Sequence, residues 1–158
     1  MKSILTLFLV LAYIFSNAQT TYFIDNISGN DNNNGKSKFK AWQSLAKVSN
    51  TNFKPGDLIL LANGQEFFGS IEWTNISGAK SKPIIITNYE VSGTTIKPII
   101  NAKDQLGGIV LINCSHIKVD GLTIIANGGK TTKNIKKGMR CGVLVTTSKA
   151  GVFQNISL

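Results

Sequence analysis

Apolar residues recur along this chain in short bursts separated by turns rich in Asn, Gly, Ser and Lys. Thr21-Tyr22-Phe23-Ile24-Asp25 opens as a strand. Asp57-Leu58-Ile59-Leu60-Leu61-Ala62 follows as a buried-type strand and ends in Asn63-Gly64, a strong turn pair. Ser70-Ile71-Glu72-Trp73 alternates. Pro83-Ile84-Ile85-Ile86-Thr87, Pro98-Ile99-Ile100, Ile109-Val110-Leu111-Ile112 and Ile117-Lys118-Val119-Asp120-Gly121-Leu122-Thr123-Ile124 continue the series. Short β-branched runs spaced this regularly predict an all-β array. The one helical pattern is Ala41–Val48, where Trp42, Leu45 and Val48 form a stripe. Lys54-Pro55-Gly56-Asp57 predicts a turn, because Pro presets φ and Gly accepts positive φ.

The pattern also repeats. Advancing the Ile109–Ile124 segment by 34 residues carries Ile109 and Leu111 onto Val143 and Val145. It also carries Val119 onto Phe153, and Leu122 and Ile124 onto Ile156 and Leu158. A strand–turn–strand unit cannot bury its apolar face alone, so such units stack. The Leu/Asn consensus of leucine-rich repeats and the blade motifs of propellers are missing. Alternating Ile/Val with Asn and Gly at corners suits a parallel β-helix. The helix around Trp42 would then cover the open end of its core.

The first residues read as a leader. Lys2 precedes an apolar run from Ile4 to Phe15 broken only by Thr6, then Ser16-Asn17-Ala18. This fits a signal peptide cleaved after Ala18, since a bilayer span needs about 20 apolar residues. The mature chain would begin at Gln19 in the periplasm, at the cell surface or outside the cell, with no later membrane span. Lys2 is the only charge in the leader, so cleavage takes the formal net charge from +9 to +8. That excess attracts anionic partners. For an exported chain these are acidic polysaccharides or anionic cell surfaces rather than nucleic acid. A lysine-rich solvated surface explains the charge equally well.

Cys114 and Cys141 lack metal-ligand spacing, and whether they pair stays open. Asn-x-Ser sequons begin at Asn26, Asn75, Asn113 and Asn155, and in a chain this rich in Asn they can arise by chance. The Asn26–Gly35 loop fails the calcium-loop pattern, because Gly35 falls where an oxygen ligand is needed and no Glu closes it. It reads as a set of Asx turns.

Several segments together resemble the first part of right-handed parallel β-helix repeat proteins of the pectate-lyase-like superfamily. They are Tyr22-Phe23-Ile24-Asp25, Ser28–Gly35, Ala41-Trp42-Gln43-Ser44-Leu45 and Phe53–Leu60, then Ser77–Ile86 and His116–Ile124. They cover nearly all of the mature chain in order. Alginate lyase and chondroitinase B relatives carry the same pieces. The leader's Ala-Gln-Thr end and the Asn/Lys/Ile-rich composition are similar to exported Bacteroidetes proteins.

The resemblance implies an all-β right-handed parallel β-helix, a solenoid with an N-terminal capping helix. The expected division is a signal peptide (1–18), then the N-terminal strand, Asn-rich loop and capping helix (19–68), then the first two to three coils (69–158). No C-terminal cap follows Leu158, so the chain is expected to be part of a longer protein. It also implies a carbohydrate-active role, with the catalytic residues of the lyases on later coils and room for calcium in the full-length protein. The expected activity is that of a polysaccharide lyase on an acidic polysaccharide. The alternative is a non-catalytic surface adhesin or glycan-binding scaffold.

Lyase chemistry needs the sugar carboxylate neutralised, a base for the adjacent proton and an acid for the leaving oxygen. Lys130, Lys133, Lys136, Lys137 and Arg140 lie in a polar segment that reads as an inserted loop, and they are candidates for contacting an acidic glycan. A solvated basic loop is the plainer reading. Trp42 and Trp73 could both stack on sugars; Trp42 fits core capping better, and Trp73 is open between a sugar platform and a core residue. His116 and Asp120 sit at predicted corners and read as turn residues. Glu72 and Asp104 have no placeable carboxylate partner, so the sequence argues for no glycosidase pair. It also offers no metal site.

Overall fold

The computed structural model describes residues 19–126 and 141–158. The leader and the basic segment carrying Lys130, Lys133, Lys136, Lys137 and Arg140 lie outside the described residues. Within them the fold is almost entirely β and its named strand pairs are parallel.

The described strands form three sheets. The first orders β1 (Thr21–Ile24), β2 (Leu58–Ala62), β5 (Ile84–Tyr89), β8 (Ile117–Val119) and β11 (Ile156–Ser157). The second orders β3 (Glu66–Phe68), β6 (Ile99–Asn101) and β9 (Thr123–Ile125). The third orders β4 (Ile71–Thr74), β7 (Gly107–Ile112) and β10 (Cys141–Thr146). From β2 onward the chain visits the three sheets in strict rotation, and each circuit pairs with the one before it.

Alternation along each strand decides what enters the core, because successive side chains point to opposite faces. In β4, Ile71 and Trp73 are buried while Glu72 and Thr74 are exposed. In β8, Ile117 and Val119 are buried around exposed Lys118. The parallel register then stacks like on like. Ile59, Ile86 and Val119 form one row, Phe67, Ile100 and Ile124 another, and Ile71, Ile109 and Val143 a third. Each fully buried side chain of this size contributes roughly 1.5–3 kcal/mol.

The 34-residue advance holds for one sheet and fails for another. Val143 lies opposite Ile109 and Val145 opposite Leu111, as that spacing requires. Ile156, however, lies opposite Ile117 rather than Leu122, and the Val119–Phe153 match is not a pairing. Partners elsewhere are as few as 24 residues apart (Ile99 and Thr123) and as many as 39 (Ile117 and Ile156). Corner loops of different length absorb the variation, so sequence spacing and stacking diverge.

The helix is shorter than the apolar stripe predicts. It spans Leu45–Ser49 (α1), with Ser44 as N-cap accepting from the Lys47 N–H at 3.1 Å. Ala41 and Trp42 stay extended because their backbone is engaged elsewhere. The Trp42 N–H donates to Phe23 O at 2.9 Å, and Trp42 O accepts from Asp25 N at 2.8 Å. Trp42, Leu45 and Val48 still reach the core, as the stripe predicts. Tyr22 stacks on Trp42 at 4.8 Å, and Phe53 bridges the pair to Trp73. Gly35 (φ 74°) lies against the Trp42 ring, where a Cβ would come within 2.6 Å.

The Asn-rich loop is a set of Asx turns. Asp25 Oδ1 accepts from Ile27 N, Ser28 N and the Gln65 side chain. Asn30 and Asn34 accept from the N–H two residues on. Asp31 receives the Gln43 and Ser44 N–H groups and the Ser44 hydroxyl, at 2.8, 3.0 and 2.6 Å. Burial opposes ionisation of Asp31. The hydrogen bonds from Ser44 and Gln43, with the Lys47 charge, together outweigh it and lower its pKa.

Two sequons have a structural reason. Asn75 and Asn113 follow β4 and β7 with φ of 60° and 55°, a left-handed turn that Asn tolerates better than most residues. The Ser two residues on then serves the next circuit. Ser77 Oγ accepts from Ser115 N at 3.0 Å, and Ser115 Oγ accepts from Gln154 N at 3.3 Å. Both cysteines are free thiols, Cys114 buried and Cys141 partly so.

Candidate functional site

One cluster of surface side chains forms where β3 turns into β4. Phe67 and Phe68 are adjacent, so alternation sends them to opposite faces. Phe67 is buried in the core, whereas Phe68 is 52% exposed. The next circuit builds a support around it. Asn101 pairs with Phe68 in the sheet, and its amide donates to Glu66 Oε1 at 2.8 Å. Asn101 Oδ1 in turn accepts from Lys103 N at 3.1 Å. This turn holds Lys103 in the left-handed region (φ 47°), uncommon for a residue with a long side chain. Its Nζ lies 3.8 Å from the centre of the Phe68 ring. Such a contact contributes about 0.5–1 kcal/mol at an exposed site and fixes the ring's orientation.

Beside that ring is a cleft of about 290 Å³ between α1 and the start of β4. Phe68, Ser49, Asn50, Ser70, Glu72 and Gln105 contribute its aromatic and polar lining. Ser49 ties the two walls together. Its hydroxyl lies 3.1 Å from Leu45 O and 3.2 Å from Ser70 O, and it accepts from Glu72 N at 3.0 Å. Gly69 makes the bend with φ 110°, a conformation that favours glycine. Glu72 is exposed, and among the described residues no cation pairs with its carboxylate. Ser70 Oγ is buried without a hydrogen-bond partner among the described residues.

The predicted sugar platform, Trp73, is elsewhere. Its ring is 1% exposed, its Nε1 donates to Val48 O at 3.3 Å, and Phe53 packs against it at 5.2 Å. No ring face remains for a sugar, so this expectation is corrected: Trp73 is a core residue, on the same inward face as Ile71. Trp42 is buried too, with Nε1 donating to Asn33 O at 2.9 Å.

His116 sits at a corner with φ 54°, its Nδ1 3.0 Å from the Asn155 amide nitrogen. Asp120 faces solvent 3.6 Å from Lys118, an exposed pair worth about 0–1 kcal/mol. Among the described residues no group of three or more His, Cys, Asp or Glu gathers as metal ligands.

Sequence reasoning missed β3 and with it Phe68. Three residues are too few for a periodic signal. The pair Phe67-Phe68 was the available clue, since one of two adjacent aromatics in a strand must face outward.

No family model matches the chain. Over 73 residues, 44% of the chain, it is 36% identical to a lacto-N-biosidase of Bifidobacterium longum subsp. longum, and the match covers 5% of that protein. The fold aligns with the GH136 lacto-N-biosidase of Eubacterium ramulus at a TM-score of 0.71 and 22% identity. That alignment covers 94% of this chain and 28% of the enzyme. A rhamnogalacturonan lyase aligns at a TM-score of 0.53 and 21% identity, over 72% of this chain and 30% of that one. At such identities the structural likeness establishes shared fold. The aligned stretches cover under a third of each solved protein and a twentieth of the curated one.

Proposed function

We propose that these residues form the first circuits of a right-handed parallel β-helix in an exported carbohydrate-active protein, one that acts on glycans as a glycoside hydrolase. The observation that carries this reading is convergence: the sequence match and the better structural match both fall on lacto-N-biosidases. Rotation through three parallel sheets supports the β-helix, and parallel crossovers are almost always right-handed. In this reading α1, with Trp42 and Phe53, closes the N-terminal end of the core. Export rests on the leader sequence, and the mature protein begins at Gln19.

Hydrolysis at a sugar's anomeric carbon needs two carboxyl groups about 5–10 Å apart. One protonates the leaving oxygen while the other attacks the sugar or activates water. We assign that pair to circuits outside the shared stretch. A second reading, a lyase on an acidic polysaccharide, draws on the excess of positive charge and on the likeness to rhamnogalacturonan lyase. There Lys130, Lys133, Lys136, Lys137 and Arg140 would hold the uronate carboxylates, with calcium a candidate cofactor of the whole protein.

The test is to express the full-length protein and offer it a lacto-N-bioside, a rhamnogalacturonan and a polygalacturonate. New reducing ends without an unsaturated product support hydrolysis. An unsaturated product, seen by its ultraviolet absorbance, overturns hydrolysis in favour of the lyase. Binding without cleavage of any substrate points instead to an adhesin or scaffold.

A further inference from the structure

We propose that the cleft between α1 and β4 is a binding subsite for a neutral sugar unit of the glycan, with Phe68 as its stacking platform. The proposal rests on the glycan reading above and adds both a place and a charge class.

Three observations carry it. First, the cleft has the amphipathic lining a pyranose requires. The half-exposed Phe68 ring forms one side, for the sugar's C–H face. Glu72, Gln105 and Asn50 line the same cleft and offer hydroxyl partners. At about 290 Å³ it lies at the small end of ligand sites. It therefore suits a single unit of a longer chain.

Second, the ring is held in place. A lysine in the left-handed region costs more than a glycine there, yet Lys103 is kept in it by the Asn101–Glu66 support, with its ammonium over the ring. Lys103 is thus a positioning residue and not part of the cleft's lining. An exposed aromatic fixed in orientation loses little freedom when a ligand stacks on it.

Third, the charge is selective. Among the described residues, Glu72 is the only ionisable group lining the cleft. Its carboxylate accepts hydroxyl hydrogens well and repels a uronate. Inside the cleft this carboxylate disfavours acidic sugars, while the Lys103 ammonium sits on the Phe68 ring outside the lining.

The experiment is calorimetric titration of the full-length protein with a neutral oligosaccharide and with an oligogalacturonate of equal length. The wild type is compared with Phe68→Ala and Glu72→Gln. The wild type should bind the neutral ligand. Phe68→Ala should weaken that binding about three- to tenfold, and Glu72→Gln about tenfold. Thermal unfolding should be unchanged in Glu72→Gln and lowered only slightly in Phe68→Ala, which loses the Lys103 contact but keeps the core. Neutral-ligand affinity unaltered in both variants overturns the proposal. So does a wild type that binds the oligogalacturonate more tightly than the neutral ligand and loses that preference in Phe68→Ala. If the wild type cleaves or binds glycans while the variants behave identically, only the subsite falls. If it neither binds nor cleaves any glycan, the functional reading falls with it.

Discussion

Replacing Trp73 with alanine tests whether this side chain belongs to the core or to a ligand surface. The indole is 1% exposed, contacts the Phe53 ring and stands in register with Leu111. Truncation removes the buried ring, leaves a cavity and deprives the Val48 carbonyl of its indole donor. Large aromatic-to-alanine changes in cores cost about 3–5 kcal/mol. The 3.3 Å hydrogen bond is long, so packing supplies nearly all of this. We expect a loss of about 4 kcal/mol, a large fraction of the roughly 5–15 kcal/mol that holds a typical domain together. Urea unfolding followed by circular dichroism should show the midpoint falling by about 2 M for a slope near 2 kcal/mol per M. Trp73→Phe should lose well under half as much, because most of the packing survives. An unchanged midpoint in Trp73→Ala, accompanied by weaker glycan binding, would refute the core assignment and restore the sugar-platform expectation.

Gly35→Ala should destabilise by about 1–3 kcal/mol in the same assay, since its Cβ would come within 2.6 Å of the Trp42 ring and its φ is 74°. Tyr89 has its phenol pushed up to about 12, first by burial and then by the nearby Asp25 charge. The neutral phenol is the form the fold favours, so this contribution is intact below pH 10 and is lost as pH rises from about 10 through about 12. Tyr89→Phe should remove that alkaline loss without cost at neutral pH, because the buried hydroxyl has no hydrogen-bond partner among the described residues. Native protein should react promptly with a thiol reagent at Cys141. Cys114, whose thiol burial raises in pKa, should react only on unfolding, and prompt reaction of both would contradict the packing.

The sheets were legible because two-residue alternation and stacking obey the same geometry. Ile71-Glu72-Trp73 already put Trp73 on the inward face with Ile71, so its burial was readable from the strand itself. The helix boundary was less legible. Trp42 has helical spacing to Leu45, but its backbone pairs with Phe23 and Asp25, a nonlocal choice that no local pattern reveals. The 34-residue advance was right for β7 and β10 and wrong beyond them, because loop length varies freely between aligned rows. The cleft stayed hidden for a related reason. Phe68 and Glu72 lie within one circuit, but Gln105 joins them from the following one, as do Lys103 and Asn101, which support the ring.

The left-handed corner at Asn113 bears on how the protein can be produced. Its side-chain nitrogen donates to Ser148 at 2.9 Å and the residue is 4% exposed, so the finished corner has no space for an attached glycan. Asn113-Cys114-Ser115 is nevertheless an acceptor sequence that a eukaryotic secretory pathway can modify while the chain is still extended. Folding and modification then compete for one amide nitrogen, and a chain that is modified first cannot close this corner. Bacterial expression avoids the competition, whereas secretion from yeast or animal cells should give a glycosylated, misfolded fraction that an Asn113→Asp replacement removes.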